Sequence, residues 1–424
     1  MSIMVKRKSN ILLILFIFFL IYYPPIIGVN LLHIIACFSY IYLIKNFSYL
    51  RKACRQRIEL LVIGFSILIV WLLLICLIEG NSFGVGIGYL QIVLEVFPSA
   101  IAVGICCHKK GMNKDEFFEV LLIAGTIQGI ISVVAFVFPN IQEIILNQAL
   151  KYGFDNQKYS SFLGRRYFGL AYNLVTYVPV CQSFFAVMAI RLALNKKIHY
   201  FLMVPFLAFS AIINGRSALV ILGVGLVMLF IEQLKKVDVL RFLKIALIAT
   251  LLLMILGFIY SKLETWSPRT YMWLEQGIEE IKIFVLEGET GAYFSTISNV
   301  SELIPKGSEF IAGIGEMSIG GNSKGIASDI GYINYLWMGG VVFFILVHCI
   351  FFYIIFSVSK YSRRSNTFKF ISSYLFLIAI IFNVKMPIFS LNEMMIIVMM
   401  IYSFLIIDRS YDNKKMYSVQ DTIL

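Results

Sequence analysis

The chain has 424 residues, of which 60% are hydrophobic and 14% charged, where soluble domains average roughly 45–50% and about 25%. Its apolar residues run in unbroken blocks, the pattern of helices that are apolar on every side, and this excludes a water-soluble protein. A transmembrane barrel is excluded as well, because its short alternating segments are absent and only helices then satisfy the backbone in lipid. The net charge of +12 does not indicate nucleic acid, since Lys and Arg cluster in short loops between apolar blocks and form no continuous patch.

A window of about 20 residues picks out twelve spans, approximately 9–23, 26–44, 58–78, 86–107, 117–138, 169–190, 198–213, 216–231, 242–260, 331–358, 367–383 and 386–407. The first follows Lys6, Arg7 and Lys8 as a signal peptide would, yet no small-residue cleavage site follows, so it is expected to be retained. Residues 198–231 are a continuous apolar stretch but for Asn214, Gly215, Arg216 and Ser217. A single helix there would rise about 51 Å, well beyond a hydrocarbon core of about 30 Å, so a hairpin turning at Arg216 fits better. With that hairpin, 25 of the 36 Lys and Arg fall on one side, which the positive-inside bias makes the cytoplasm, together with both termini. The seven Cys (37, 54, 76, 106, 107, 181 and 349) lie in spans or cytoplasmic loops without CxxC spacing, so neither a disulfide nor a zinc site is expected. The expected fold is an all-α polytopic integral membrane protein, one membrane domain over 1–424.

Two outer segments, 139–168 and 261–330, exceed what a connection requires. In the second, Ser267 and Pro268 read as N-cap and first helical residue of an amphipathic helix reaching about Phe284. Its apolar residues would be Trp273, Ile278, Ile281 and Val285, laid along the outer membrane surface. Gly313, Gly315, Gly320, Gly321 and Gly325 predict turns leading back to the span at Gly331.

Outward-facing Arg residues are the sharpest chemical feature, because the positive-inside bias works against them. Arg165 and Arg166 lie in Gly164-Arg-Arg-Tyr-Phe-Gly169, and Arg216 opens the helix after the hairpin tip. Free N–H groups, the positive dipole end, the Ser217 hydroxyl and a guanidinium would converge there, an arrangement that suits phosphate. Arg165 or Arg269 alone reads as a snorkelling residue, whereas Arg216 sits on a tip too short to snorkel far. Acidic residues are also plentiful in the outer segments, and one could act as a general base on a hydroxyl. Asp329, directly before a span, is the best placed, although Ser328 and Asp329 equally make a helix cap. Glu95 and Glu393 are intramembrane acids for which Lys385 is a plausible partner. No His lies in an outer loop, and nothing has metal-ligand spacing.

Gly164-Arg-Arg-Tyr-Phe-Gly-Leu170, Asn214-Gly-Arg-Ser-Ala-Leu-Val220, Phe310-Ile-Ala-Gly-Ile-Gly315 and Ser328-Asp-Ile-Gly-Tyr-Ile-Asn-Tyr-Leu-Trp-Met-Gly-Gly340, set on a dozen spans with a large late outer loop between the ninth and tenth, resemble the O-antigen polymerase (Wzy) family. The resemblance implies a GT-C-like, metal-independent glycosyltransferase without cofactor, in the bacterial cytoplasmic (inner) membrane. It would join oligosaccharide repeat units carried on undecaprenyl pyrophosphate at the outer face. It further implies that Arg166 and Arg216 hold the pyrophosphate and stabilise its departing charge, and that Asp329 deprotonates or orients the acceptor hydroxyl. Arg165, Arg269, Asn214, Ser217 and Tyr332 are then substrate-binding. Direct displacement would invert the anomeric centre. A chain-length regulator and a flippase are the expected partners, besides membrane lipid. The related ligases use a His in the large outer loop and this chain has none, which ranks polymerase above O-antigen ligase. A lipid-linked oligosaccharide flippase or secondary transporter is the rival, but leaves the long loop and the outer Arg unexplained.

Overall fold

The computed structural model describes residues 2–24, 30–54, 58–151, 163–172, 177–195, 198–234, 260–283, 300–361 and 365–420, with isolated positions between 243 and 286. Every regular element among them is a helix. They are α1 (Ser2–Tyr22), α2 (Leu31–Lys45), α3 (Phe47–Cys54), α4 (Ile58–Glu79), α5 (Gly84–Lys109), α6 (Lys114–Val137), α7 (Pro139–Lys151), α8 (Tyr177–Asn195), α9 (Ile198–Asn214) and α10 (Arg216–Leu234), followed by α11 (Pro268–Lys282), α12 (Gly331–Tyr361), α13 (Asn366–Asn383) and α14 (Glu393–Gln420). Among the described residues seven helices are long and apolar enough to cross a membrane, namely α4, α5, α6, α8, α10, α12 and α13. The chain is an all-α, multi-pass membrane protein. Helices coincide with every predicted span except 242–260, which lies outside the described residues but for single positions. The hairpin at Arg216 is present, with α9 ending at Asn214 and α10 starting at Arg216. Two starts differ: the sixth span begins at Tyr177, after non-helical residues 163–172, and the last begins at Glu393, where the Asn392 side chain accepts the Met395 N–H at 2.9 Å as a helix cap.

The chain forms two compact units. The first comprises Met1–Ile21, Leu31–Glu119 and Ser301–Leu424, and the second Tyr22–Asn30 and Val120–Val300.

The first unit is built around α14, whose residues Met394 to Ile407 are buried on every side, as an all-apolar helix requires. Gly104 of α5 lets that helix approach the Phe404 backbone, and Phe117 stacks on Phe404 at 4.2 Å. In α5 a π-turn over Ile92–Val96 precedes Pro98, which has no N–H for the Leu94 carbonyl, and Tyr40 Oη of α2 donates to that carbonyl at 2.7 Å instead. The same turn carries Glu95, whose carboxylate lies 2.9 Å from His33 Nδ1.

α12 is broken at Gly339–Gly340, and side chains and backbone from elsewhere in the unit take up the freed carbonyls. The N–H groups of Ile314 and Gly315 donate to Trp337 O and Met338 O at 2.8 and 3.0 Å, and Trp71 Nε1 donates to Gly339 O at 2.9 Å. Non-helical backbone inside a membrane protein needs such internal partners. The glycines predicted to turn the chain, Gly313, Gly315, Gly320, Gly321 and Gly325, all have positive φ.

The second unit centres on α8, buried along almost its whole length and packed by α9 and α10. Several of its polar groups are met inside: Ser183 donates to Ala218 O at 2.9 Å, and Gln182 Nε2 reaches Tyr22 Oη at 3.0 Å and Gly125 O at 3.2 Å.

The glycine break makes a direct prediction. At Gly340, φ is +66° and a Cβ would lie 2.0 Å from Ile311 O, so Gly340→Ala is expected to destabilise the protein by about 3 kcal/mol. Gly223 of α10 has nothing within 4 Å of its Cβ position, and Gly223→Ala should instead be neutral or stabilise by up to about 1 kcal/mol. Thermal unfolding of the two variants in detergent separates these outcomes.

Candidate functional site

The segment Gly164–Gly169 leaves helical geometry at both ends through glycines with φ of +68° and +62°. Its backbone polar groups therefore find no partners within a helix, and side chains of the second unit take them up. Asn214, fully buried at the end of α9, accepts the Tyr167 N–H through Oδ1 and donates from Nδ2 to Tyr167 O at 2.9 Å. Gln142 of α7 donates to Arg166 O at 2.7 Å and accepts the Gly164 N–H at 3.1 Å. Gln128 of α6 donates to Phe168 O and accepts the Leu170 N–H. Ser267 and Thr270, at the start of α11, reach Gly164 O at 3.2 and 3.4 Å, and the Tyr167 hydroxyl meets Ser267 Oγ at 3.2 Å. Two buried glutamines, a buried asparagine and a helix start thus hold one short loop from four sides.

The loop delivers Arg166 to the same aromatic ring as Arg216. The guanidinium carbon of Arg166 lies 5.0 Å, and that of Arg216 5.3 Å, from the centroid of Trp273 in α11, within the range of cation–π attraction. One turn along α11, Gly277 faces Arg216, and a Cβ there would fall 2.3 Å from Arg216 Cδ. Arg216 stands at the first turn of the 19-residue helix α10, where unsatisfied N–H groups and the helix dipole favour an anion. Next to it the Ser217 hydroxyl is buried and has no hydrogen-bond partner among the described residues. A small cavity bounded by Ala135, Ile145, Leu146 and Phe168 sets Arg166 against apolar walls. Burial, then the charges of Arg165 and Arg216, push the Arg166 guanidinium down to about 10.

Not every predicted residue enters this cluster. Arg165 is half-buried beside Arg166, and its carbonyl accepts from Thr270 at 3.3 Å. Arg269 is exposed and donates from Nη1 to Leu163 O at 3.2 Å, so it supports the loop backbone. Asn214 has its amide committed to Tyr167 and to Ser210 O, and it positions the loop instead of offering its own polar atoms to a ligand. Asp329 and Tyr332 belong to the other unit. Asp329 is exposed and pairs with Lys385 at 3.1 Å, so Lys385 is the partner of this acid and not of Glu95, which meets His33. The Ile330 N–H is taken by Ser328 Oγ at 3.2 Å. The Tyr332 hydroxyl donates to Ile380 O at 3.0 Å, bridging α12 and α13.

Sequence reasoning missed Gln128, Gln142 and the partnership of Trp273. The glutamines carry a readable signal, because amides inside apolar helices demand partners. Trp273 was assigned to a membrane-facing stripe. In fact it is buried with Leu263 and Leu274, while Ile278 of the same helix is exposed. Ile281 and Val285 fall among residues whose side chains are not described.

Compared with known protein families, curated proteins and solved structures, the chain matches none.

The clamp on Tyr167 is testable. Asn214→Ala strands a buried N–H and a buried carbonyl, each at about 1–3 kcal/mol, and should lower the thermal unfolding midpoint of the purified protein by several degrees. It should also impair function although Arg166 and Arg216 are untouched.

Proposed function

We infer that the chain is a surface-polysaccharide polymerase of the O-antigen type, a metal-independent glycosyltransferase acting on repeat units linked to undecaprenyl pyrophosphate. The observation that carries this reading is the gathering of Arg166 and Arg216 on one buried indole at the start of α10, beside a Ser217 hydroxyl unpartnered among the described residues. A doubly charged, oxygen-rich leaving group suits the donors that these groups carry. The guanidiniums offer forked N–H donors for phosphate oxygens, and the helix start and Ser217 offer further donors.

In the proposed reaction an acceptor sugar hydroxyl attacks the anomeric carbon of the donor, and the carbon–oxygen bond to pyrophosphate breaks with its electron pair on the leaving group. Charge builds on that oxygen as the bond lengthens, so donors already in place stabilise the transition state more than the ground state. The acceptor proton passes to a carboxylate, for which Asp329 is the candidate from sequence. The positive-inside bias supports a cytoplasmic-membrane protein of twelve spans with both termini inside, and the GT-C-like architecture rests on the family resemblance. A flippase is the second reading, favoured by the broken α12, because interrupted helices build transporter sites. The Trp337, Met338 and Gly339 carbonyls at that break are already taken by Ile314, Gly315 and Trp71.

The test is deletion of the gene in its host and complementation with wild type, Arg216→Ala or Arg216→Lys at matched membrane levels, read as surface polysaccharide on a gel. Deletion should leave a single repeat unit on the acceptor lipid. Arg216→Ala should cut polymer about 10²-fold or more, with Lys restoring only part, since it lacks the fork. Loss of all surface sugar, with lipid-linked units trapped on the cytoplasmic side, would identify a flippase and reject the polymerase reading.

A further inference from the structure

The arginine pair poses a physical problem of its own. Two guanidiniums that share a half-buried site repel one another, and each stands on a different support, Arg166 on a clamped loop and Arg216 on a helix start. Trp273 contacts both. Its ring offers a negative π face to cations, and it is itself only 4% exposed, fixed among Leu263, Leu274, Phe136 and Tyr271. The helix that carries it is tied at its start to the arginine loop, through Ser267 and Thr270 on Gly164 O. Residues four apart share a helix face, so Gly277 stands directly beyond Trp273. There the missing side chain is what leaves room for Arg216, since a Cβ would also meet its Nη1 at 2.9 Å.

We propose that Trp273 and Gly277 are positioning residues of the diphosphate site: the indole holds the two arginines together against their repulsion, and the notch at Gly277 sets the path of Arg216 along α11. This rests on the reading of the arginine cluster as a pyrophosphate site and adds a third wall to it. The helix 268–282 is then part of the site and not a surface ornament, and the site is incomplete without it. The assignment separates two roles that a bulky core residue confounds. If Trp273 only fills space, any apolar side chain of similar bulk serves, whereas if it holds cations, the replacement needs an aromatic face.

The experiment titrates inorganic pyrophosphate into the purified, detergent-solubilised full chain, at constant ionic strength, and reads affinity by calorimetry. The proteins compared are wild type, Trp273→Phe, Trp273→Leu, Gly277→Ala, Arg216→Ala, and Arg216→Ala combined with each of Trp273→Leu and Gly277→Ala. Trp273→Phe should bind within about threefold of wild type, a weaker face being kept. Trp273→Leu and Gly277→Ala should each bind about tenfold more weakly. Gly277→Ala should not weaken binding further once Arg216 is gone, because it acts through that residue, while Trp273→Leu should keep only the part of its effect that runs through Arg166, since residues that act through one another are not additive. Thermal unfolding of each variant confirms that the titrated protein is folded, and should Trp273→Leu fail to fold, the Gly277→Ala cycle with Arg216→Ala decides alone. Binding by Trp273→Leu or Gly277→Ala within twofold of wild type overturns the proposal, as does a Gly277→Ala effect that persists in full on Arg216→Ala. Failure of the wild-type protein itself to bind pyrophosphate, with inorganic phosphate as comparator, would instead overturn the reading of the site on which the proposal stands.

Discussion

Water does not reach the interior of a membrane protein freely, so a peptide group that leaves a helix there must be met by another part of the chain. In the second unit this constraint falls on Gly164–Gly169, and the amides of Gln128, Gln142 and Asn214 meet it. Each amide offers donors and an acceptor together, which is what a non-helical peptide requires. Because Asn214 binds both polar groups of Tyr167, the loop and the α9–α10 tip move as one body. Arg166 and Arg216, which lie on either side of that link, inherit a fixed relation from it.

That relation has an energetic consequence. Burial, and then the charges of Arg165 and Arg216, push the Arg166 guanidinium down to about 10, so its surroundings work against its charged form. Proteins tolerate such arrangements at functional sites, where strain is balanced elsewhere or relieved by a ligand. Here the balance is visible in the surroundings: buried amides secure the loop, an indole faces the cations, and α8, buried along its length, anchors the whole unit. The arginine cluster is affordable because so much around it is already satisfied.

The membrane class and most helix positions were legible from the sequence because unbroken apolar blocks and a helix length near 20 residues leave few alternatives. The hairpin at Arg216 was legible for the same reason, since one helix would have been too long. The turns at Gly313 to Gly325 followed from glycine alone. The start of the sixth span was not legible, because Phe168, Leu170 and Ala171 are as apolar as the helix that follows them, and what keeps them out of it is hydrogen bonding from residues far away in the chain. Arg166 and Arg216 stood out because a charge outside the cytoplasm needs a reason. Trp273 did not, because periodicity tells an apolar face from a polar one but says nothing of what the face meets.

The break in α12 also has a bearing on the lipid. An unbroken helix of 31 residues would rise about 46 Å, while residues 341–361, beyond the break, rise about 31 Å, close to a hydrocarbon thickness of about 30 Å. The two glycines therefore cut a helix that is too long into one that matches. They also hand the surplus turn to the segment 308–318, which is bonded to it through Ile314 and Gly315. Mismatch between a span and its bilayer is relieved by tilt or by local change in thickness, at small cost per ångström. In this protein part of that adjustment is built into the chain, since the break at Gly339–Gly340 sets the length of the apolar segment that follows it.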